Sequence, residues 1–130
     1  MAALSDHAEN LVLNWLMTSG TATRPTAWYV ALYTAAPNDA GGGTELTGNG
    51  YSRQTVAFDT ASGTGGTTSN SGAVTFTAAG GDWGTITHMA IHDAASAGNL
   101  LWHGALSASK TITDGDSLEF AIGNIDLTIA

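Results

Sequence analysis

The chain has 130 residues, a length that suits one domain with a core large enough to fold without disulfides. It contains no cysteine, which excludes disulfides, thiolate metal sites and cysteine nucleophiles. Three Lys and Arg residues against eleven Asp and Glu residues give a net charge of −8. Nucleic acid and anionic membranes are bound by clustered cations, so neither is expected as a partner.

The low share of charged residues is a second compositional signal. They make up 11% of the chain, where an ordinary soluble domain has about 25%. A surface of small neutral residues suits close contact between subunits, and it equally suits a β-rich domain with a neutral surface. No apolar run is long enough to cross a membrane, and the N-terminus lacks the basic and apolar regions of a secretion signal.

An amphipathic helix is predicted over residues 5–18. Ser5 can cap it, Asp6 and Glu9 lie in the first turn where the helix dipole favours them, and Gly20 supplies the stop. One apolar stripe recurs at helical spacing and comprises Ala8, Leu11, Val12, Trp15 and Leu16. We expect this stripe to dock on the chain's own sheet, with a neighbouring subunit as the alternative.

The stretch Ala27–Thr34 (AWYVALYT) is predicted as a central strand buried on both faces, because it is an uncharged run of apolar and aromatic residues. Further strands are predicted at 51–59, 73–77, 85–92, 99–106, 110–113, 117–122 and 125–129. One helix with seven to eight strands between turns is typical of an all-β fold, an antiparallel β-sandwich or barrel. The prediction is one domain, with an N-terminal helical segment at 1–20 and a β body at 27–130.

Two glycine-rich loops interrupt the β body, at 36–50 and 60–72. No Gly-Lys-Ser/Thr follows the triple glycine of the first loop, so a phosphate-binding loop is not indicated. The second loop, TASGTGGTTSNSG in its full length, is of low complexity. Loops of this composition are held by self-packing or by neighbouring subunits, and we favour the latter. The predicted assembly contacts are Gly41, Gly42, Gly43, Thr64, Gly65 and Gly66.

Histidines and carboxylates offer two candidate metal sites, and neither has suitable spacing. His88 and His92 lie four apart on one predicted strand, and His103 lies on the next. Residues four apart on a strand are separated by about 13 Å, too far to share one zinc ion. The acidic residues at 114, 116 and 119 do not follow the spacing of an EF-hand calcium loop. No metal or cofactor is therefore predicted.

Catalytic motifs give no better support for an enzyme. There is no Gly-x-Ser-x-Gly sequence, and the carboxylates of Asp114 and Asp116 are explained by a turn. Trp83 lies in a glycine-rich turn where an exposed indole could stack on a sugar, so a glycan-binding module is the alternative function. The other tryptophans, at 15, 28 and 102, are predicted to lie in the core.

Several motifs in fixed order resemble a known family. They are WYVALYTAAP at Trp28–Pro37, DAGGGTE at Asp39–Glu45, then YSRQTVAF, GTITHMAIHDAASAGNLLWHGALSASKTI at Gly84–Ile112, and GDSLEFAIGNIDLTIA from Gly115. The chain resembles small tailed-phage virion structural proteins, commonly labelled "phage tail fibre protein". The resemblance implies a non-catalytic virion component, assembled in the host bacterial cytoplasm and associated with other virion proteins.

The architecture of such a component is constrained by what the sequence lacks. There are no heptads and no Gly-X-Y period that would build a long shaft. A compact domain suits decoration of the particle in many copies, either as a capsid decoration or cement protein, which we favour, or as a tail-associated one. A homo-oligomer is expected.

Overall fold

The computed structural model describes residues 2–61 and 65–129, and the chain there is mostly β with one helix near its N-terminus. In chain order the elements are β1 (Ala2–Leu4), α1 (Asp6–Met17), β2 (Tyr29–Ala35), β3 (Thr44–Glu45), β4 (Gln54–Thr55), β5 (Thr67–Ser69), β6 (Val74–Thr77), β7 (Gly84–His92), β8 (Leu100–Ile112), β9 (Ser117–Phe120) and β10 (Asp126–Thr128). The predicted all-β class is confirmed.

The main sheet has six antiparallel strands, ordered β1-β8-β7-β2-β3, with β4 also paired to β2. In β2, Val30, Ala31, Leu32 and Tyr33 are all buried, so the predicted central strand is confirmed, beginning at Tyr29. One edge of β2 pairs along β7, and the other is shared by β3 and β4. Both faces of β2 are covered because apolar side chains alternate to either side of it.

Two smaller antiparallel ribbons, β6–β9 and β5–β10, complete the β body. Their inward side chains pack with one face of the main sheet. This core includes Val30, Leu32, Ile86, Ile91 and Leu101 from the sheet, and Val74, Phe76, Leu118, Ile125 and Leu127 from the ribbons and their flanks. The predicted inward direction of Val74 and Phe76 is confirmed, since both are almost fully buried.

Two strand assignments and the predicted number of strands differ from the structure. Residues 99–106 and 110–113 are not separate strands, because β8 runs without a break from Leu100 to Ile112. Of residues 51–59, only Gln54–Thr55 forms a named strand, although Val56 still donates a backbone hydrogen bond to Trp28. Ten short strands are present among the described residues, rather than seven or eight.

Helix α1 begins as predicted and ends slightly earlier. Ser5 is its N-cap, and the Ser5 hydroxyl accepts a hydrogen bond from the Ala8 amide at 3.1 Å. The same hydroxyl donates to the Leu100 carbonyl, which ties the start of the helix to β8. The helix ends at Met17 with Thr18 as its C-cap. Within the described part of the chain, no helix is long and apolar enough to cross a membrane.

Candidate functional site

The C-terminal half of α1 is exposed although it is apolar. The first turn is fixed to the domain, since the Ser5 amide donates to the Leu101 carbonyl at 2.9 Å and Ala8 is buried. Beyond it Leu11 and Val12 are half-buried, whereas the later apolar side chains are exposed: Leu13 56%, Trp15 73%, Leu16 62% and Met17 72%. The expected docking of the whole stripe on the chain's own sheet is therefore wrong, as is the core position predicted for Trp15.

A groove lies beside this exposed half. The helix groove is lined by Leu11, Val12, Trp15, Ala22 and Arg24, with a volume of about 410 Å³. Arg24, which lines the groove, places its guanidinium over the Trp28 ring, 5.8 Å from the centroid, in a cation–π contact. From Leu11 to Met17 the helix carries no charged residue. Apart from Arg24, helix and groove together form an apolar surface of the kind that marks protein contact sites.

The first predicted contact loop forms an ordered turn on the chain's own domain. Asn38 and Gly41 exchange backbone hydrogen bonds of 2.6 and 2.9 Å, and the Asp39 carbonyl accepts from the Asp6 amide at 3.0 Å. Gly43 has a φ of +72°, and a Cβ there would lie 2.6 Å from the backbone nitrogen of Pro37. Glycine at this position is thus explained by the turn itself. The assembly contacts predicted for Gly41, Gly42 and Gly43 stay predictions.

The second predicted contact loop falls partly outside the described residues. Thr64 lies outside them. Gly65 and Gly66 are described, and the Gly66 carbonyl accepts a hydrogen bond of 3.0 Å from the Ile129 amide. A Cβ on Gly66 would lie 2.9 Å from the Ile129 carbonyl oxygen. The chain's own C-terminal segment therefore contacts the described part of this loop. Assembly contacts at Thr64, Gly65 and Gly66 stay predictions.

Trp83, the predicted sugar platform, is buried. It is 5% exposed, and its indole Nε1–H donates to the Asn49 carbonyl at 2.9 Å. Its ring also packs edge-to-face on Tyr51, with centroids 5.9 Å apart. The expected exposure of Trp83 is therefore wrong, because its neighbouring turn folds over it, and no free ring face is left for a sugar to stack on. Trp28 and Trp102 pack partly buried against the core.

A polar cleft of about 490 Å³ lies against the opposite face of the main sheet, lined in part by Tyr33, Asp39, Arg53 and His92. The Tyr33 hydroxyl and His92 Nε2 are 3.0 Å apart. The Arg53 guanidinium donates to the Glu45 carboxylate, with the shortest contact 2.7 Å. Sequence reasoning did not find this cluster, and the signal that could have shown it is the period-two alternation that places Tyr33 on the face opposite Val30 and Leu32.

The titration properties of the Tyr33–His92 pair are unfavourable for acid–base catalysis at neutral pH. Burial, aided by the positive charge of Arg53, lowers the pKa of His92 to about 4. Burial, aided by the Glu45 carboxylate, raises the pKa of the Tyr33 hydroxyl. His92 Nδ1 is buried and finds no hydrogen-bond partner among the described residues. Because both groups are neutral near pH 7, neither is poised to accept or release a proton.

The candidate metal residues do not converge. His103 Nε2 lies 2.7 Å from an Asp39 carboxylate oxygen, His88 Nδ1 lies 2.8 Å from the Thr87 hydroxyl, and His92 contacts Tyr33. In residues 2–61 and 65–129, no group of three His, Asp or Glu side chains is placed to hold a metal ion. Asp116 instead accepts hydrogen bonds from the Thr113 amide and hydroxyl, the turn chemistry that the sequence indicates.

Comparison with known families gives one match that spans nearly the whole chain. The family model described as "Podophage GP4 fiber I protein gp80" matches residues 3–128. No curated protein matches the chain. The family match agrees with the resemblance to tail fibre proteins that the motif order indicates.

Proposed function

The chain belongs to the podophage GP4 fiber I protein gp80 family, and from this membership we propose that it is a non-enzymatic, multi-copy module held in the virion by protein contacts. The family makes it a phage fibre structural protein and a component of the virion. The finer proposal is that it attaches, after assembly in the host cytoplasm, to capsid or tail proteins. It carries no reaction of its own.

The observation that carries this proposal is the exposed apolar half of α1. A helix that is apolar on most sides is normally buried, yet Leu13, Trp15, Leu16 and Met17 are all more than half exposed. Burying one such side chain is worth about 1.5–3 kcal/mol. A surface of this kind is therefore expected to lie in a protein contact within the particle.

Two features support the absence of catalysis. The Tyr33–His92 pair in the polar cleft has pKa values shifted away from neutrality in opposite directions, so it does not exchange protons near pH 7. All three nitrogens of the Arg53 guanidinium donate hydrogen bonds, to the Glu45 carboxylate and to the Ala94 and Ala97 carbonyls, at distances from 2.7 to 3.0 Å. The guanidinium is not free to bind a substrate anion.

Particle imaging tests the proposal. Phage lacking this gene and phage carrying it with a small peptide tag are imaged by electron cryomicroscopy, and the difference map gives the position and copy number of the chain. Density repeated on the capsid shell supports decoration, and density on the tail supports tail association. Deletion particles that lack no density would refute the proposal. The glycan alternative no longer has Trp83 as a platform, since that side chain is buried.

A further inference from the structure

A second pocket adjoins the helix groove, since Arg24 lines both. This aromatic pocket has a volume of about 350 Å³, and its lining includes three aromatic side chains and three exposed polar ones: Trp28, Phe58 and Trp102, with Arg24, Asp59 and Thr60. We propose that the aromatic pocket binds one neutral sugar ring, either as a small saccharide or as one residue of a glycan. Such binding is a function beyond attachment to the particle.

The aromatic pocket has the composition of a small-molecule site. Its deepest lining residues, Ile91, Leu101 and Leu127, are buried members of the main core. The three aromatic side chains are half-buried, so each packs on the core and keeps part of its surface accessible. Ligand pockets are usually about 300–1,000 Å³ in volume and are lined by apolar and aromatic side chains with a few polar groups. The aromatic pocket meets both conditions.

Hydrogen bonds within the domain hold the walls of the aromatic pocket in place. The Val56 amide donates to the Trp28 carbonyl at 3.0 Å, and the Asp59 amide donates to the Ser69 carbonyl at 3.0 Å. The Thr68 hydroxyl, which also lines the pocket, donates to the Asp59 carbonyl. The pocket is thus formed before any ligand arrives, and binding does not require the ordering of its walls.

The exposed polar side chains of the pocket have hydrogen-bonding capacity that the domain does not use. Within the part of the chain that the structure describes, the side chains of Arg24, Asp59 and Thr60 make no hydrogen bond. The cation–π contact of Arg24 with Trp28 uses none of the guanidinium N–H groups as hydrogen-bond donors. Arg53 differs, since all three of its nitrogens donate within the domain. A ligand in the aromatic pocket would therefore meet a free acceptor and free donors.

A sugar ring matches this combination of surfaces. One face of a pyranose presents C–H groups, which pack on aromatic rings as aliphatic groups do, and hydroxyls surround its edge. The Asp59 carboxylate can only accept hydrogen bonds and the Arg24 guanidinium can only donate them, whereas a hydroxyl does both. Benzene fits in a cavity of about 150 Å³. A pocket of about 350 Å³ therefore has room for one six-membered ring with its hydroxyl substituents.

Other classes of ligand match the lining less well. A purely apolar ligand would cover the Asp59 carboxylate and the Arg24 guanidinium without giving either a hydrogen bond, and that loss of hydration is unfavourable. An anionic ligand would be repelled by a chain with a net charge of −8. The opposite charges of Arg24 and Asp59 balance each other within the pocket, which favours a ligand without net charge.

The indole N–H signals of the four tryptophans provide the test. The ¹⁵N-labelled chain is titrated with methyl glycosides of glucose, galactose, mannose, rhamnose and N-acetylglucosamine, and with neutral oligosaccharides of the same sugars, and is followed by heteronuclear NMR. We expect at least one of these to shift the signals of Trp28 and Trp102 to saturation. The signals of Trp15, in the helix groove, and of the buried Trp83 should not move.

The panel also separates the two sources of a sugar ring. Binding of a methyl glycoside supports a site for a single ring, and binding of oligosaccharides alone supports a site for one residue within a glycan. The proposal is overturned if no member of the panel shifts the Trp28 and Trp102 signals, or if the shifts are confined to Trp15.

Two variants test the polar contacts, each with a control that makes the same change of charge elsewhere. Asp59→Asn and Arg24→Gln should each raise the dissociation constant about tenfold, equivalent to about 1.4 kcal/mol. The controls Asp126→Asn and Lys110→Gln alter exposed residues outside the pocket and should leave the dissociation constant unchanged. All of these side chains are exposed, so the variants should fold, and thermal melts check this. Unchanged affinity in both pocket variants overturns the proposal.

Particle imaging separates this inference from the proposed function. Phage carrying Asp59→Asn should retain the density of the chain at the wild-type level, because sugar binding is not required for attachment to the particle. Loss of that density in the folded variant would identify the aromatic pocket as a protein contact and would overturn the sugar site. A chain that binds no sugar but is present on the particle overturns this inference and leaves the virion role unchanged.

Discussion

Asn70 should be the polar residue whose loss damages the fold most. Its side chain is fully buried and makes three hydrogen bonds to backbone groups. The Nδ2 amide donates to the Gly72 carbonyl at 2.8 Å and to the Ala121 carbonyl at 3.0 Å, and Oδ1 accepts from the Ile125 amide at 2.9 Å. Asn70 thereby connects the low-complexity loop to the segment between β9 and β10.

The change Asn70→Ala removes all three hydrogen bonds at once. A buried backbone group left without a partner costs about 1–3 kcal/mol. Gly72 and Ala121 are exposed, so water can replace part of the hydrogen bonding that their carbonyls lose. The expected decrease in the free energy of unfolding is therefore about 3–5 kcal/mol. Natural domains are stable by only about 5–15 kcal/mol. The melting temperature should therefore fall by about 10–20 °C.

A second substitution at the same position tests the chemistry. Asn70→Asp retains the acceptor for the Ile125 amide but at pH 7 places a carboxylate beside the Gly72 and Ala121 carbonyls, where the native amide donates. Repulsion and burial raise the pKa of that carboxyl in the folded state. Its deficit relative to wild type should therefore be smallest below about pH 4, the pKa of an unfolded Asp, and grow as the pH rises through the folded value.

Urea unfolding at pH 4 and pH 7, followed by tryptophan fluorescence, measures both variants. The control is Asn124→Ala, because Asn124 is exposed and its side chain makes no hydrogen bond within the described residues. It should unfold within about 0.5 kcal/mol of wild type. The reasoning is refuted if Asn70→Ala also lies within 1 kcal/mol of wild type.

Three further predictions concern the cleft, a turn and the core. The pKa of His92 is about 4 in the folded chain and about 6.5 in the unfolded chain. Between these two pKa values only the unfolded chain binds a proton at His92, so the free energy of unfolding should fall by up to about 3 kcal/mol as the pH drops from 7 to 4. Urea unfolding should show a flatter pH slope in His92→Gln. Gly43→Ala should cost at least 2 kcal/mol more than Gly48→Ala in thermal melts, since both have positive φ but only Gly43 would place a Cβ against backbone atoms; equal losses would contradict this. Trp83→Phe should lower stability by about 2–3 kcal/mol through the lost hydrogen bond and cavity, and an unchanged denaturation midpoint would contradict the burial argument.

The elements that sequence reasoning located correctly are those with complete local signals. Ser5 followed by acidic residues and an apolar period specifies the start of α1. The uncharged β2 run, with Pro25 before it and Pro37 after it, favours a strand buried on both faces over a helix. The Val74 and Phe76 alternation gave the inward face of β6. In each case, the information lies within ten residues of the element.

Sequence reasoning divided β8 into two strands, because the continuity of β8 depends on a distant partner strand, β7. Residues 107–109 (SAS) carry no apolar alternation, so the sequence suggests a break. In the fold, β8 continues because it pairs with β7 on either side of these residues, with His88 opposite Ala105 and Ile86 opposite Lys110. A register irregularity between Ile86 and His88 accommodates the change. Pairing of this kind is a property of two strands and is not visible in either alone.

Trp83 and His92 show that the burial of a side chain is likewise not predictable from the sequence around it. A tryptophan among three glycines is typical of an exposed turn, but the turn folds back so that the Asn49 carbonyl accepts from the indole. His92 ends β7 with an unremarkable sequence, and its burial follows from Tyr33, which lies 59 residues earlier. Burial and pKa depend on which segments meet in three dimensions, so local composition cannot give them.

The helix stripe presents a different problem, because its pattern was interpreted correctly and its partner was not. The amphipathic pattern predicts that Trp15 and Leu16 are buried, but it does not indicate which molecule buries them. The chain's own sheet covers the helix only through the first turn, at Ala8. For a protein of a fibre family, the remaining apolar surface is consistent with a fold that is completed by association. An exposed apolar stripe of this size is the kind of surface that marks a protein contact, and under the proposed function we expect a protein of the particle to cover it.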